Sequence, residues 1–115
     1  MRTTFEGPAI LPGYAYRLRL VAEHALFAEG ASFVAQIRVV PSSDTVLAEI
    51  SSASGGFVRI SDTEMDLVLS PEQTALCTPG RVVLDLVRSD LTPPLHLGVF
   101  LELPVMQPVT REVSP

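Results

Sequence analysis

Two histidines and one cysteine are the side chains in this sequence best suited to proton transfer, metal ligation or nucleophilic attack. His24 and His96 lie far apart in the chain, and neither has the HxxxH or Cys/His neighbour that a metal site uses. His96 alternates with Leu95 and Leu97, which places it on a solvent or partner face. Cys77 is alone, so an internal disulfide is impossible. No histidine sits near it in sequence to activate a thiolate, and it reads as a small apolar residue in a turn. The carboxylates Glu64, Asp66, Asp85, Asp90 and Glu102 are scattered. Acid–base work would require two of them to converge from separate strands, and solvated strand faces are the simpler reading. Ser54-Gly55-Gly56 precedes a strand rather than a helix, so it does not read as a phosphate loop. Ser42, Ser43, Ser51, Ser52 and Ser54 lie in turns without a GxSxG setting. With no Trp and 6% aromatic residues, a sugar platform of stacked rings is poorly supported, and Tyr14 and Tyr16 read as core. A ligand or glycan site would need Tyr14, Tyr16 and His96 to meet the loop 51–56. No catalytic, cofactor-binding or metal-ligating residue is expected, no cofactor is implied, and the chain is not expected to be an enzyme.

The elements that would carry these side chains are strands. In Glu64–Arg88, Met65, Leu67 and Leu69 alternate with Asp66, Val68 and Ser70, the period of a half-buried strand. Ser70 then has the chemistry of a helix N-cap, Pro71 suits the first helical position, and Glu72 complements the helix dipole. About one helical turn over 71–76 ends at Pro79-Gly80. Val82, Leu84 and Leu86 alternate again in a second strand. A single turn between two such strands predicts a corner where the chain crosses from one sheet to another.

The same alternation predicts strands over 14–21, 31–40, 46–50, 57–60 and 95–103, with Pro104 ending the last. Phe33, Ala35, Ile37 and Val39 should face inward. Residues 23–30 read as either one helical turn or a loop. Residues 1–13 read as an N-terminal arm, 14–104 as a β-sandwich domain and 105–115 as an extended C-terminal tail. The arm either wraps a neighbouring subunit or packs on its own domain. If it wraps a neighbour, deleting residues 1–12 should weaken assembly without unfolding the domain. Phe5, Ile10, Leu11, Met106 and Val109 are the expected partner contacts. Seven or eight short strands with frequent turn signals and no helix of normal length predict an antiparallel sandwich or barrel.

A length of 115 residues favours one domain with a small core. Hydrophobic residues make up 47% and charged residues 18%, too apolar for a disordered chain and consistent with surface covered by a partner. A net charge of −5 argues against nucleic acid. All eight basic residues are Arg, which reads first as coding bias and suits interfaces equally well. The N-terminus has no apolar run suited to a signal peptide or membrane span, so neither export nor a membrane is expected, and the lone cysteine fits synthesis in a cytoplasm.

The run from Phe33 to Arg111 resembles the small immunoglobulin-like domains of tailed-phage and prophage tail or virion proteins, similar to the N-terminal domain of phage baseplate upper proteins. The resemblance rests on Val34-Ala35-Gln36-Ile37-Arg38, then Leu67-Val68-Leu69-Ser70-Pro71-Glu72-Gln73-Thr74-Ala75, then Pro79-Gly80-Arg81-Val82-Val83-Leu84-Asp85-Leu86. Gly98-Val99-Phe100-Leu101-Glu102 and Val109-Thr110-Arg111 complete it. The sequence departs from the pattern at Leu84, where an aromatic is usual, and in its N-terminal third. The resemblance implies an immunoglobulin-like sandwich with one short helical turn near 71–76. It further implies a non-enzymatic structural or assembly role in a virion, made in the host bacterial cytoplasm, with other tail proteins or copies of itself as partners. A ligand- or glycan-binding sandwich module is the alternative. Asp85 is expected either to accept hydrogen bonds from a neighbouring loop or Arg, or to lie exposed.

Overall fold

The computed structural model describes residues 8–111 in full and the backbone of residues 3–6. Eight strands and one helix follow in chain order: β1 (Thr3–Glu6), β2 (Tyr16–Val21), β3 (Phe33–Ile37), β4 (Ala48–Ser51), β5 (Phe57–Arg59), β6 (Glu64–Leu69), α1 (Pro71–Ala75), β7 (Gly80–Arg88) and β8 (Leu95–Val105). They form a five-stranded sheet in the order β1-β8-β7-β3-β4 and a three-stranded sheet in the order β2-β6-β5. Every pairing is antiparallel except that of β1 with β8. The chain is an all-β sandwich, as the turn spacing predicted.

The corner over 64–88 forms as its residues dictate. Met65, Leu67 and Leu69 of β6 and Val82, Leu84 and Leu86 of β7 all belong to one buried cluster. Each such side chain contributes roughly 1.5–3 kcal/mol by leaving water. β6 lies in the small sheet and β7 in the large one, so α1 makes the crossing. Ser70 caps it: its Oγ accepts from the Gln73 amide at 3.1 Å, while the Gln73 side chain accepts from the Ser70 amide at 2.9 Å. This reciprocal box satisfies two backbone donors that a helix start leaves without partners. Thr74, fully buried, accepts from the Gly13 amide at 3.1 Å and donates to the Tyr14 carbonyl at 2.8 Å. The helix thus fastens the segment that precedes β2.

Three expectations change, and the open choice over residues 23–30 resolves as a loop. Ile10, expected to contact a partner, is fully buried in the core. Its amide donates to the Pro104 carbonyl at 2.8 Å and its carbonyl accepts from Met106 at 3.0 Å, so the 8–13 segment is stitched to its own domain. Deleting residues 1–12 would therefore remove a core side chain as well as any outward contact. Pro104 lies inside β8 rather than at its end. Its carbonyl points at Ile10, so its missing N–H lies on that side too, where only Pro104 O and Met106 N are used, and no bond to β7 is lost. Val39 is exposed because β3 stops at Ile37. Residues 22–32 form a loop in which Phe27 is buried. Its ring packs edge-on to Phe33 with centroids 5.9 Å apart. The loop is held by the Phe27 amide on the Asp62 carbonyl and by Arg59 Nε on the Phe27 carbonyl.

Candidate functional site

Exposed apolar side chains gather at the end of the sandwich where α1 makes its crossing. Leu11, Tyr14, Leu76 and Met106 are all exposed there, Met106 at 60%. The bridge between Ile10 and Val105 sets Leu11 beside Met106. The Tyr14 hydroxyl donates to the Thr110 carbonyl and so holds the departing chain across the same end, with Val109 95% exposed next to it. A shallow concavity runs between Pro12, Tyr14, Leu76, Pro79 and Gln107. Arg111 is the one charged residue among the described residues lining it. Three of the five expected contacts, Leu11, Met106 and Val109, are thus brought to one end. Ile10 lies beneath them in the core, and the side chain of Phe5 lies outside the described residues.

The imidazole of His96 lies on the outer face of the large sheet, as its alternation implied. Its Nε2 is 2.8 Å from Asp85 Oδ2, and its Nδ1 accepts from the Gly98 amide at 2.9 Å. Because an amide must donate to Nδ1, the proton resides on Nε2 and is donated to Asp85. Both ring nitrogens are therefore engaged, and neither is left to take a proton from a substrate in this arrangement. The ring stacks at a tilt on Phe100, 5.2 Å between centroids. Asp85 thus pairs with a histidine rather than with a loop or an arginine.

The outer face of the small sheet carries an ion cluster that no local sequence pattern marks. Asp66 points to the outer face of the small sheet, yet its side chain is only 3% exposed. Arg19 Nε donates to it at 2.6 Å and Arg17 Nε at 2.7 Å. The hydrogen bonds from Arg19 and then Arg17 hold its carboxyl down to about 2, against the opposing effect of burial. The register explains the pairing: Arg19 sits directly opposite Asp66 and Arg17 opposite Val68 on the same face. The alternation of Arg17 and Arg19 was legible, but their shared partner needed the pairing of β2 with β6.

Tyr16 is in the core and donates to the Pro8 carbonyl at 2.7 Å; burial pushes its phenol up to about 12. Tyr14, expected in the core, is instead exposed at the α1 end because β2 begins only at Tyr16, whereas His96 and Ser51 share the other end of the large sheet through the pairs Val87–His96, Val34–Val87 and Val34–Ser51. Tyr14, Tyr16, His96 and the 51–56 loop therefore do not converge. Cys77 is buried with its Sγ 3.8 Å from the Gln73 carbonyl, and burial pushes the thiol up. It behaves as the small apolar residue its setting predicted. Among the described residues no three His, Cys, Asp or Glu side chains are grouped to hold a metal ion, and no helix is long and apolar enough to cross a membrane. No protein-family model matches the sequence, and no curated protein matches it significantly.

Proposed function

We propose that this chain is a non-enzymatic structural domain of a tailed-phage or prophage-derived particle, acting by packing against neighbouring particle proteins or copies of itself. One observation supports it most: an apolar, charge-poor end assembled from three separated segments, 11–14, 76–79 and 106–109. Leaving such side chains in water is unfavourable, and contiguous apolar patches on a folded domain commonly mark contact surfaces. The segments are fixed from within by Thr74, by the Ile10–Val105 bridge and by the Tyr14–Thr110 hydrogen bond, so the surface is preorganised. The Gln-Ile-Arg, Ser-Pro-Glu-Gln-Thr-Ala and Pro-Gly-to-Asp-Leu segments that resemble phage virion domains supply the kind of assembly. The domain would then work in the virion after synthesis in the host cytoplasm. The test is incorporation: the full chain should co-sediment with purified particles of its source bacterium. A chain that stays wholly in the free fraction would overturn the reading.

A further inference from the structure

The outer face of the large sheet, away from the apolar end, holds a groove of about 450 Å³. That is within the roughly 300–1,000 Å³ typical of small-molecule sites. Two irregularities of the sheet create it. β3 and β7 pair at Val34–Val87 and again at the bridge Arg38–Val83, but residues 35–37 and 84–86 between them are not paired with each other. On the other side of β7, the register with β8 shifts between Asp85 and Val87, so that Asp85 faces Phe100 and Val87 faces His96. Gly98 takes up the extra length with a φ of 72°, a region glycine enters without strain. The groove lies over this gap. Ala35, Leu84 and Leu101, whose side chains belong to the core, contribute to its floor, so it reaches down to the backbone.

Its walls combine apolar and charged groups. Val34, Val83, Val87 and Phe100 supply apolar surface. Both carboxylates in the wall have ionic or hydrogen-bonding partners: Asp85 with His96 at 2.8 Å, and Glu102 with Arg81 at 3.0 Å. Arg38 differs. Its two terminal nitrogens donate to neutral acceptors, the Ser43 carbonyl at 2.7 Å and Gln36 Oε1 at 2.8 Å. Among the described residues no carboxylate lies in ion-pair range of it. Those two bonds hold the guanidinium in place and use two of its five donors. A positioned guanidinium with no counter-charge among the described residues, at the wall of an apolar groove, matches the planar two-oxygen face of a carboxylate.

We propose that this groove binds a small monocarboxylic acid with an apolar body, its carboxylate on Arg38 and its hydrocarbon or aryl part on Val83, Val87 and Phe100. Asp85 and Glu102 in the same walls disfavour a second negative group, so dicarboxylates should bind less well than monocarboxylates. This site is separate from the apolar end and does not depend on the assembly reading.

The experiment is an amide chemical-shift titration of the full chain with octanoate and with phenylacetate. Octanamide, phenylacetamide and succinate serve as controls. At least one monocarboxylate should shift the amides of Gln36, Arg38, Asp85 and Phe100 saturably, with its amide isostere about tenfold weaker or more. Arg38→Met should lose about tenfold or more in affinity, and Arg38→Lys should lose less. Because Arg38 also braces Ser43 and Gln36, a second variant, Val87→Glu, tests the groove from its apolar wall and should abolish binding with the melting transition retained. The proposal is overturned if neither acid gives saturable shifts. Equal affinity for acids and amides, succinate binding as well as the monoacids, or full affinity in Arg38→Met or folded Val87→Glu would overturn it too.

Discussion

Replacing Asp66 with Asn keeps the shape of the side chain but removes the charge that Arg17 and Arg19 converge on. The carboxyl is held down from 3.8 to about 2. Fully realised, that displacement is worth roughly 2 kcal/mol of folding free energy. The two arginines are 58% and 50% exposed, so water and salt screen them and the charge-dependent part falls to about 1 kcal/mol. The Asn amide would also turn donors toward donors, adding about 1 kcal/mol that does not depend on pH. The sign of the pH dependence follows from the lowered folded-state value. The charge-dependent part is fully present above the unfolded carboxyl's value near 4 and is lost as pH falls through about 2. Urea unfolding of wild type and Asp66→Asn should therefore differ by about 2 kcal/mol at neutral pH, narrowing to about half that near pH 2. Molar salt at neutral pH should narrow the gap as well. A difference that is the same at both pH values would refute the claim that charge at Asp66 holds β2 to β6.

Two further outcomes concern how the sandwich is closed. Ile10→Ala should cost about 2–4 kcal/mol in chemical denaturation because Ile10 is fully buried, whereas a free arm would give a change near zero. Gly56→Ala should lower stability by about 1–3 kcal/mol, since a Cβ there would run into the side chain of Ile50 in the core; an unchanged melting curve would contradict that packing.

The corner around α1 was legible because local rules agree there: the alternation on both strands, the Ser70 cap, Pro71 and the Pro79-Gly80 stop all point the same way. The inward faces of β3 and β7 were legible for the same reason. What stayed hidden depends on neighbours distant in the chain. The β1–β8 parallel pairing and the insertion of Ile10 are set by which edge is open, which no local pattern encodes. Phe27 sits in a loop without periodicity, and its burial becomes visible only through Asp62 and Arg59. Asp66 read as a solvated residue because alternation assigns a face, not the two arginines that cover it. The groove beside Arg38 arises from a lapse in pairing and a bulge at Gly98, and a glycine inside a strand was its only local trace. Of the expected contact residues, Leu11, Met106 and Val109 were legible as apolar side chains near the chain ends, but their meeting with Leu76 at one end required the fold.

The assembly claim is tested most directly by following wild type and a Leu76→Asp/Met106→Asp variant into purified particles. Both positions are exposed, at 55% and 60%, so the substitutions should leave the domain folded. The wild-type chain should sediment with particles, and the folded double variant should remain free. Equal incorporation of the two, or the absence of the wild-type chain from particles, would contradict it.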